Sequence, residues 1–174
     1  MMKYMFFLIL PVLFWQLQMS QAQIPPTEWI ETYGGSNIDI GHSVDPTLDG
    51  GYIITGYTRS FGTMSGRNVW LVKTDSAGNE QWNNGFCGYD DEEAYAVLQT
   101  PDGEYVFAGY TKSFGMGLND VLLIKADSSG TSQWIRTFGG AQDDEAYGLD
   151  KTSDGGFIIA GVTSSSGAGS RDVF

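Results

Sequence analysis

The chain has 174 residues, a formal net charge of −12 and a single cysteine, Cys87. An acidic chain without a basic cluster repels the phosphates of nucleic acids and of anionic membranes, so we expect neither as a partner. One cysteine excludes an intrachain disulfide. The 24 glycines, five tryptophans and nine tyrosines, with few helix-forming runs, predict a turn-rich β protein.

The first 22 residues have the pattern of a signal peptide. Lys3 precedes the apolar run FFLILPVLFW, residues 6–15, which is too short to cross a bilayer as a mature helix. Ser20-Gln21-Ala22 then places small residues at the two positions that a signal peptidase reads, so we expect cleavage after Ala22. Loss of Lys3 takes the net charge from −12 to −13. We therefore expect an exported chain, secreted or at the cell surface, with no membrane span after cleavage.

A repeat of about 52 residues organises residues 23–174. Three tryptophans are spaced by 53 and 52 residues, and three aspartates have the same spacing: Trp29, Trp82, Trp134, Asp49, Asp102 and Asp154. In this register WIETYGG, WNNGFCG and WIRTFGG open the copies, and GGYIITGYTRS, GEYVFAGYTKS and GGFIIAGVTSS lie near their middles. The repeats occupy about 29–81, 82–133 and 134–174, and the third is truncated.

Each repeat is predicted to contain four short strands. In the first repeat they span residues 29–33, 42–47, 52–58 and 69–74, and the third is rich in β-branched and aromatic residues. The second and third strands are joined by LDGG, PDGE or SDGG, where Asp-Gly is typical of a hairpin turn. A longer Ser/Gly loop joins the third strand to the fourth.

The stretch TDSAGNEQW, residues 74–82, returns as ADSSGTSQW, residues 126–134. The aspartate is predicted to accept backbone N–H bonds in a turn, and the glycine to take the left-handed conformation. The tryptophan then begins the next repeat's first strand and is expected to lie between adjacent sheets. A four-stranded sheet buries both faces only by stacking on neighbours, so we predict an all-β fold of β-propeller-type repeats: four-stranded antiparallel blades in an incomplete ring. A β-solenoid is the alternative.

The repeated motifs resemble a known family. The pattern W-x-x-T-[YF]-G-G, then T-x-D-G-G-[YF]-I-I-x-G, then D-V-x-L-[IV]-K-x-D-x-x-G-x-x-x-W is similar to the β-propeller repeat of secreted bacterial proteins. The resemblance covers nearly all of residues 27–174. It implies a binding or display scaffold, in some relatives part of a large cell-surface protein with a C-terminal sorting domain.

Runs of carboxylates precede the second predicted strand. They are residues 90–93 (DDEE) and 143–145 (DDE), and the first repeat keeps only Asp39 at the aligned place. Their contiguous spacing differs from the alternating ligands that wrap one calcium ion. We therefore expect a solvated turn that keeps a sheet edge charged, with a calcium site at the rim as the alternative.

No residue is predicted to be catalytic, to bind a cofactor or to ligate a metal. His42, the only histidine, aligns with Tyr95 and Tyr147, and is expected to be a packing variant. Cys87 replaces a glycine of the other copies and has no basic neighbour in sequence that lowers a thiol pKa. No phosphate-binding glycine loop, nucleophile elbow or metal-ligating histidine pair is present.

The function expected from these features is a non-enzymatic scaffold that binds an unknown protein or glycan. Repeating aromatic residues leave a sugar-binding surface as an alternative; they are Tyr57, Tyr110, Trp70, Phe61 and Phe114. A lyase or glycosidase is a third possibility, whose catalytic part is absent from these repeats. The third repeat stops after two residues of a strand that is longer in the other copies, so we expect a fragment of a longer chain that supplies the remaining blades.

Overall fold

The computed structural model describes residues 28–62 and 66–174; the predicted signal peptide, residues 1–22, lies outside them. The described residues form an all-β structure of eleven strands without a helix. The strands are β1 (Asp39–Pro46), β2 (Tyr52–Thr58), β3 (Asn68–Thr74), β4 (Glu80–Phe86), β5 (Glu92–Gln99), β6 (Tyr105–Thr111), β7 (Asp120–Ala126), β8 (Ser132–Phe138), β9 (Asp144–Lys151), β10 (Phe157–Thr163) and β11 (Asp172–Val173).

The strands form three antiparallel sheets. Sheet I has the order β1-β2-β3-β4, sheet II the order β5-β6-β7-β8, and sheet III contains β9, β10 and β11. Within each sheet, every strand pairs with the one that follows it in sequence, because a hairpin connection returns the chain beside the strand it has just left. The prediction of antiparallel four-stranded sheets is confirmed for sheets I and II.

The predicted position of the tryptophan strand within the sheet is wrong. Residues 28–38 contain no strand, and the strands that carry Trp82 and Trp134 are the fourth strands of sheets I and II. The reason is the turn that precedes them. In that turn Asp75 accepts the backbone N–H groups of Ala77 and Asn79, so the chain reverses and β4 pairs with β3. Each of these two sheets therefore takes three strands from one repeat and its last strand from the next.

Both predicted glycine turns have the expected backbone. The Asp-Gly hairpin of sheet I places Gly50 at φ 83°, and Asp49 accepts hydrogen bonds from Thr47 and from the backbone of Gly51. Positive φ is readily accessible to glycine because it lacks a Cβ atom. Gly130, in the turn after β7, has φ 79°. These turns set the register of the strands they join.

The core lies between the sheets in two layers. Sheet I packs on sheet II through Ile53 and Leu71 on one side and Phe107 and Ile124 on the other. The second layer joins sheets II and III: Leu98, Val106, Ala108, Val121, Leu123, Ala146, Leu149, Phe157 and Ile159. As predicted, the tryptophan lies between adjacent sheets, since the ring of Trp82 packs edge-on against Tyr105 of sheet II.

Sheets II and III each meet the preceding sheet through their own first strand. β5 contacts β1, β2 and β3 of sheet I, and β9 contacts β5, β6 and β7. The first strands of successive sheets, β1, β5 and β9, are therefore neighbours across the stack. Side chains at the same repeat position on these three strands therefore lie in one row across the sheets.

Candidate functional site

The first strand of each sheet contains a β-bulge at the same repeat position. In β1 the pairing moves from Gly41–Gly56 to Ser43–Thr55 and leaves His42 as the extra residue. Tyr95 in β5 and Tyr147 in β9 are skipped in the same way. A bulge bends its strand and changes the direction of the extra side chain. All three sheets therefore present an aromatic ring at one position.

A glycine opposite each bulge explains why the strand bends there. A Cβ atom on Gly109 of β6 would lie 1.8 Å from the carbonyl oxygen of Glu93, and the equivalent distance at Gly56 is also 1.8 Å, to Ile40. Only glycine allows the two backbones to approach this closely. These mid-strand glycines in YIITGYT, YVFAGYT and FIIAGVT were the sequence signal for the bulges.

The bulged rings form a continuous row across the three sheets, which we call the aromatic row: His42, Tyr95 and Tyr147. The centroid distance is 4.8 Å between His42 and Tyr95 and 5.1 Å between Tyr95 and Tyr147. These distances lie in the range of favourable aromatic pairs. Tyr147 is 46% exposed, so the row ends at a solvent-accessible ring.

A buried carboxylate lies beside the row. Glu93, two residues before the bulge of β5, is 3% exposed and accepts hydrogen bonds from Tyr95 at 2.8 Å and Tyr110 at 3.1 Å. His42 Nε2 lies 3.5 Å from Oε2, the oxygen that also accepts from Tyr95, and the Arg67 guanidinium forms an ion pair with Oε1. Glu93 is thereby paired by charge and by hydrogen bonds, as a buried carboxylate must be.

Arg67 links Glu93 to a second carboxylate. Its guanidinium contacts Asp91 at 3.0 Å, and Lys112 Nζ lies 3.6 Å from the same carboxylate. The hydrogen bond with Asp91 raises the pKa of Arg67, so its charge is permanent. Burial alone raises the pKa of Asp91, but the hydrogen bonds from Arg67 outweigh burial and hold it below its ordinary value.

The third repeat reproduces this arrangement with weaker ionic contacts. Glu145 accepts a hydrogen bond from Asn119 at 2.7 Å and another from Tyr147, and Arg171 lies 3.5 Å away. Asn119 aligns with Arg67, so one position supplies a guanidinium in the first repeat and an amide in the second. The first repeat has Ile40 where Glu93 and Glu145 stand. A carboxylate therefore lies beside the aromatic row in sheets II and III, whereas sheet I has Ile40 at that position.

The tyrosines of the cluster remain protonated at neutral pH. Burial, together with the hydrogen bond to Glu93, raises the pKa of Tyr95 far above its ordinary value, and burial beside the same carboxylate does so for Tyr110. Burial and Glu145 likewise raise the pKa of Tyr147. A phenol whose pKa is raised donates hydrogen bonds and is a poor base or nucleophile. The three phenols therefore act as hydrogen-bond donors to Glu93 and Glu145.

The carboxylate runs are not the solvated turns that were predicted. Asp90 is exposed, but Glu92 is 1% and Glu93 3% exposed, and Asp144 is fully buried. Glu92 bonds to Thr111 and to the backbone of Gly88, while Asp144 accepts the N–H of Gly140. Glu92 and Asp144 can be buried because each accepts a backbone N–H from the loop before its strand, which satisfies the carboxylate and holds the loop against the strand. Within residues 28–62 and 66–174, no three carboxylates, histidines or cysteines are grouped so that they could hold a metal.

Two of the five aromatic residues considered for sugar stacking lie in the core. Trp70 is 4% and Tyr110 5% exposed, whereas Phe61, which stacks on Trp70 at 5.8 Å, is 38% exposed. Tyr57 is covered by the guanidinium of Arg67, 5.5 Å above its ring. Phe114 is 41% exposed. The free thiol of Cys87 is half-buried.

A cleft of about 470 Å³ lies between sheets II and III. Its wall contains the rings of Trp134 and Phe157 beside the charged groups Asp102, Lys125 and Lys151. Trp134 corresponds to Trp82, and Phe157 corresponds to Tyr105. The cleft therefore lies at the position where, between sheets I and II, Trp82 packs directly on Tyr105. It combines aromatic surface with hydrogen-bonding groups.

Comparison of the sequence with models of protein families and with curated proteins found no match to either. Among the described residues, no helix has the length and apolar character that a membrane crossing requires.

Proposed function

We propose that this chain is an exported, non-enzymatic binding or display scaffold built from β-propeller-type repeats. The aromatic row carries the proposal: a bulge in each first strand places one ring per sheet in a line that crosses all three sheets. Contact between successive first strands supports a radial stack, since first strands that converge surround an axis. Tyrosine rings are enriched at protein interfaces, so a row that ends at the exposed ring of Tyr147 supports a binding role.

The state of the polar groups favours binding over catalysis. The carboxylate of Glu93 is held by Arg67 and by two tyrosine hydroxyls, and the raised pKa of Tyr95 keeps its proton in place. A general base needs a pKa near the working pH and free access to the proton it takes. Glu93 is buried and its oxygens are occupied by these contacts, so it lacks that access, and the cluster is proposed to fix the rings in position.

A direct binding assay tests this function. Residues 23–174 are screened against glycan and peptide arrays, and every ligand is retested with Tyr147→Ala and with Tyr89→Ala. Tyr147 ends the aromatic row, whereas Tyr89, 89% exposed, lies in the loop before β5. We expect ligands to be lost by Tyr147→Ala and kept by Tyr89→Ala. Ligands that bind Tyr147→Ala as well as they bind the natural chain would refute the proposal. So would turnover of a substrate that is abolished by Glu93→Gln.

A carbohydrate ligand is the second candidate, and the cleft beside Trp134 favours it. Aromatic rings stack on the apolar faces of sugars while charged side chains bond their hydroxyls, and Trp134, Lys125 and Asp102 supply both. The glycan array is therefore run with and without calcium and repeated with Trp134→Ala. Glycan binding that survives Trp134→Ala but not Tyr147→Ala assigns the ligand to the aromatic row instead.

A further inference from the structure

Two faces of the stack lack the cover that their equivalents have. Val44, on the face of sheet I that points away from sheet II, is 60% exposed, whereas the equivalent Val97 of sheet II is 7% exposed. Ile158, on the face of sheet III that points away from sheet II, is 59% exposed, whereas the equivalent Val106 is fully buried. We call these surfaces the front face of sheet I and the back face of sheet III.

These two faces are the two halves of an interface that the structure already contains twice. The back of sheet I, through Ile53 and Leu71, packs on the front of sheet II. The back of sheet II, through Val106 and Leu123, packs on the front of sheet III. Since the repeats have equivalent residues at these positions, the back face of sheet III is complementary to the front face of sheet I. The two faces lie at opposite ends of one chain.

The segment before β1 independently indicates what covers them. Residues 29–33, WIETY, align with WNNGF of β4 and WIRTF of β8, which are fourth strands. Trp29 packs on Tyr52 at 5.9 Å, as Trp82 packs on Tyr105 at 5.7 Å, and the Tyr33 hydroxyl donates to the carbonyl of Gly78 at 2.6 Å. The segment therefore lies over the front of sheet I in the place of a fourth strand, while no described strand pairs with it.

We propose that the partner of both faces is a second copy of this chain, joined head to tail. The back face of sheet III of one copy packs on the front face of sheet I of the other, and residues 29–33 of that copy lie beside β11 as its fourth strand. By analogy with the pairing of Val121 with Phe138, Val173 lies opposite Tyr33 of the second copy. Two such contacts close two copies into a ring of six sheets, within the range of about four to eight that propellers use.

The contact is expected to depend on apolar packing. Between sheets I and II, Asp45 also accepts the backbone N–H of Gln99 at 2.9 Å. Pro46 takes the place of Gln99 in the first repeat and has no N–H, so this bond has no counterpart in the contact between copies. The inference goes beyond the proposed binding function and does not depend on it, because it rests on the equivalence of the faces and on the position of residues 29–33.

Sedimentation velocity of residues 23–174 over a range of concentrations tests the association. We expect a reversible dimer for the natural chain. Val44→Asp and Ile158→Asp should each raise the dissociation constant about tenfold or more, because each buries an unpaired charge in the contact. Leu118→Asp is the matched control, since Leu118 is equally exposed (60%) but lies in the loop before β7, and it should leave the dimer intact.

A mixture of the two variants distinguishes a head-to-tail contact from a symmetric one. Each variant alone has one damaged face, but together they retain one undamaged pair of faces, so the mixture should form heterodimers. A symmetric contact predicts no such recovery, and that result would overturn the proposal. A natural chain that stays monomeric over the whole concentration range would also overturn the proposal. The two faces would then have partners other than a second copy.

Hydrogen exchange of the natural chain provides a test that needs no substitution. Backbone amides of residues 29–33 should exchange more slowly at high protein concentration than at low, because pairing with β11 of a second copy protects them. Amides of β6, inside sheet II, serve as the internal reference and should not change. Equal exchange of residues 29–33 at both concentrations would contradict the proposed strand pairing.

Discussion

The indole of Trp82 lies against the backbone of Gly130 in the neighbouring sheet: a Cβ atom on Gly130 would come within 2.7 Å of the ring. Trp29 lies against Gly78 in the same way, also at 2.7 Å. The glycine of each Asp-Ser-x-Gly turn thus meets the tryptophan that opens its own repeat and not the one four residues after it. Because β4, which carries Trp82, belongs to sheet I, the contact of Trp82 with Gly130 couples sheet I to sheet II.

Substitution of this glycine should separate two effects. Gly130→Ala forces an unfavourable positive φ, which costs about 1–2 kcal/mol, and also drives a methyl group into the side chains of Asn84 and Trp82, which costs about 1–3 kcal/mol more. Gly103→Ala is the control, because Gly103 also has positive φ but nothing lies within 4 Å of its added Cβ. Urea unfolding measures the difference, and equal losses in both variants would show that Asn84 and Trp82 move aside without cost.

Removal of Arg67 should destabilise the chain strongly. Arg67→Met leaves Glu93, 4% exposed, without its guanidinium, and the expected loss is toward the lower end of about 3–5 kcal/mol because Arg67 itself is 29% exposed. Arg171→Met is the matched control, since Arg171 is 54% exposed and faces Glu145 at 3.5 Å, and about 0–1 kcal/mol is expected there. If chemical denaturation showed similar losses of unfolding free energy for both variants, the burial of Glu93 would not determine the contribution of Arg67 to stability.

Stability should fall as the solution is acidified. Hydrogen bonds from Lys73, and then from Thr47, hold the pKa of Asp49 well below its ordinary value of 3.8. Because the unfolded state has the higher pKa, this stabilisation is complete above about pH 5 and is lost as the pH falls through 3.8 toward the lower folded value. The urea midpoint measured across this range reports the loss.

Asp49→Asn tests the source of that acid dependence. The variant should be less stable than the natural chain near neutral pH, since Lys73 is almost fully buried and loses its carboxylate, but the gap should narrow below about pH 4. Asp102→Asn, whose partner Lys125 lies 3.9 Å away, should show a smaller change. An acid profile unaltered by Asp49→Asn would assign the dependence to other carboxylates.

Export should remove the first 22 residues. Expressed with its native start in a bacterial host, the protein should be recovered outside the cytoplasm with Gln23 as its first residue. N-terminal sequencing reads this directly. A Lys3→Glu variant removes the positive charge before the apolar run and should accumulate uncleaved. Soluble cytoplasmic protein that retains Met1 would contradict the prediction.

Sequence reasoning was most successful where the structure is decided locally. The Asp-Gly hairpins and the Asp-Ser-x-Gly turns have their expected glycine backbones because both depend on a few adjacent residues. The stacking position of Trp82 between sheets also follows, since a sheet must cover its apolar faces. The prediction that each tryptophan strand opens a new sheet is wrong, because the tight turn at residues 75–79 joins two neighbouring strands of one sheet.

The aromatic row was missed for a different reason. Alignment showed His42, Tyr95 and Tyr147 at one repeat position, but period-two alternation does not reveal a residue that is skipped by the pairing. The burial of Glu93 was missed as well, because its partner Arg67 lies in the loop before β3 of sheet I and no local pattern relates the two residues. The mid-strand glycines were the available signal, and they mark the bulge on the opposite strand.

The offset between repeat and sheet has a consequence for how the gene can change length. Sheet I is completed by the strand that opens the second copy, and sheet II by the strand that opens the third. An in-frame recombination that removed residues 82–133 would therefore join β3 to β8, which carries Trp134 in the place of Trp82. Sheet I would keep four strands and its tryptophan would meet Phe157 in place of Tyr105. Unequal crossover can thus remove or add copies while the sheet at the site of recombination keeps all four of its strands.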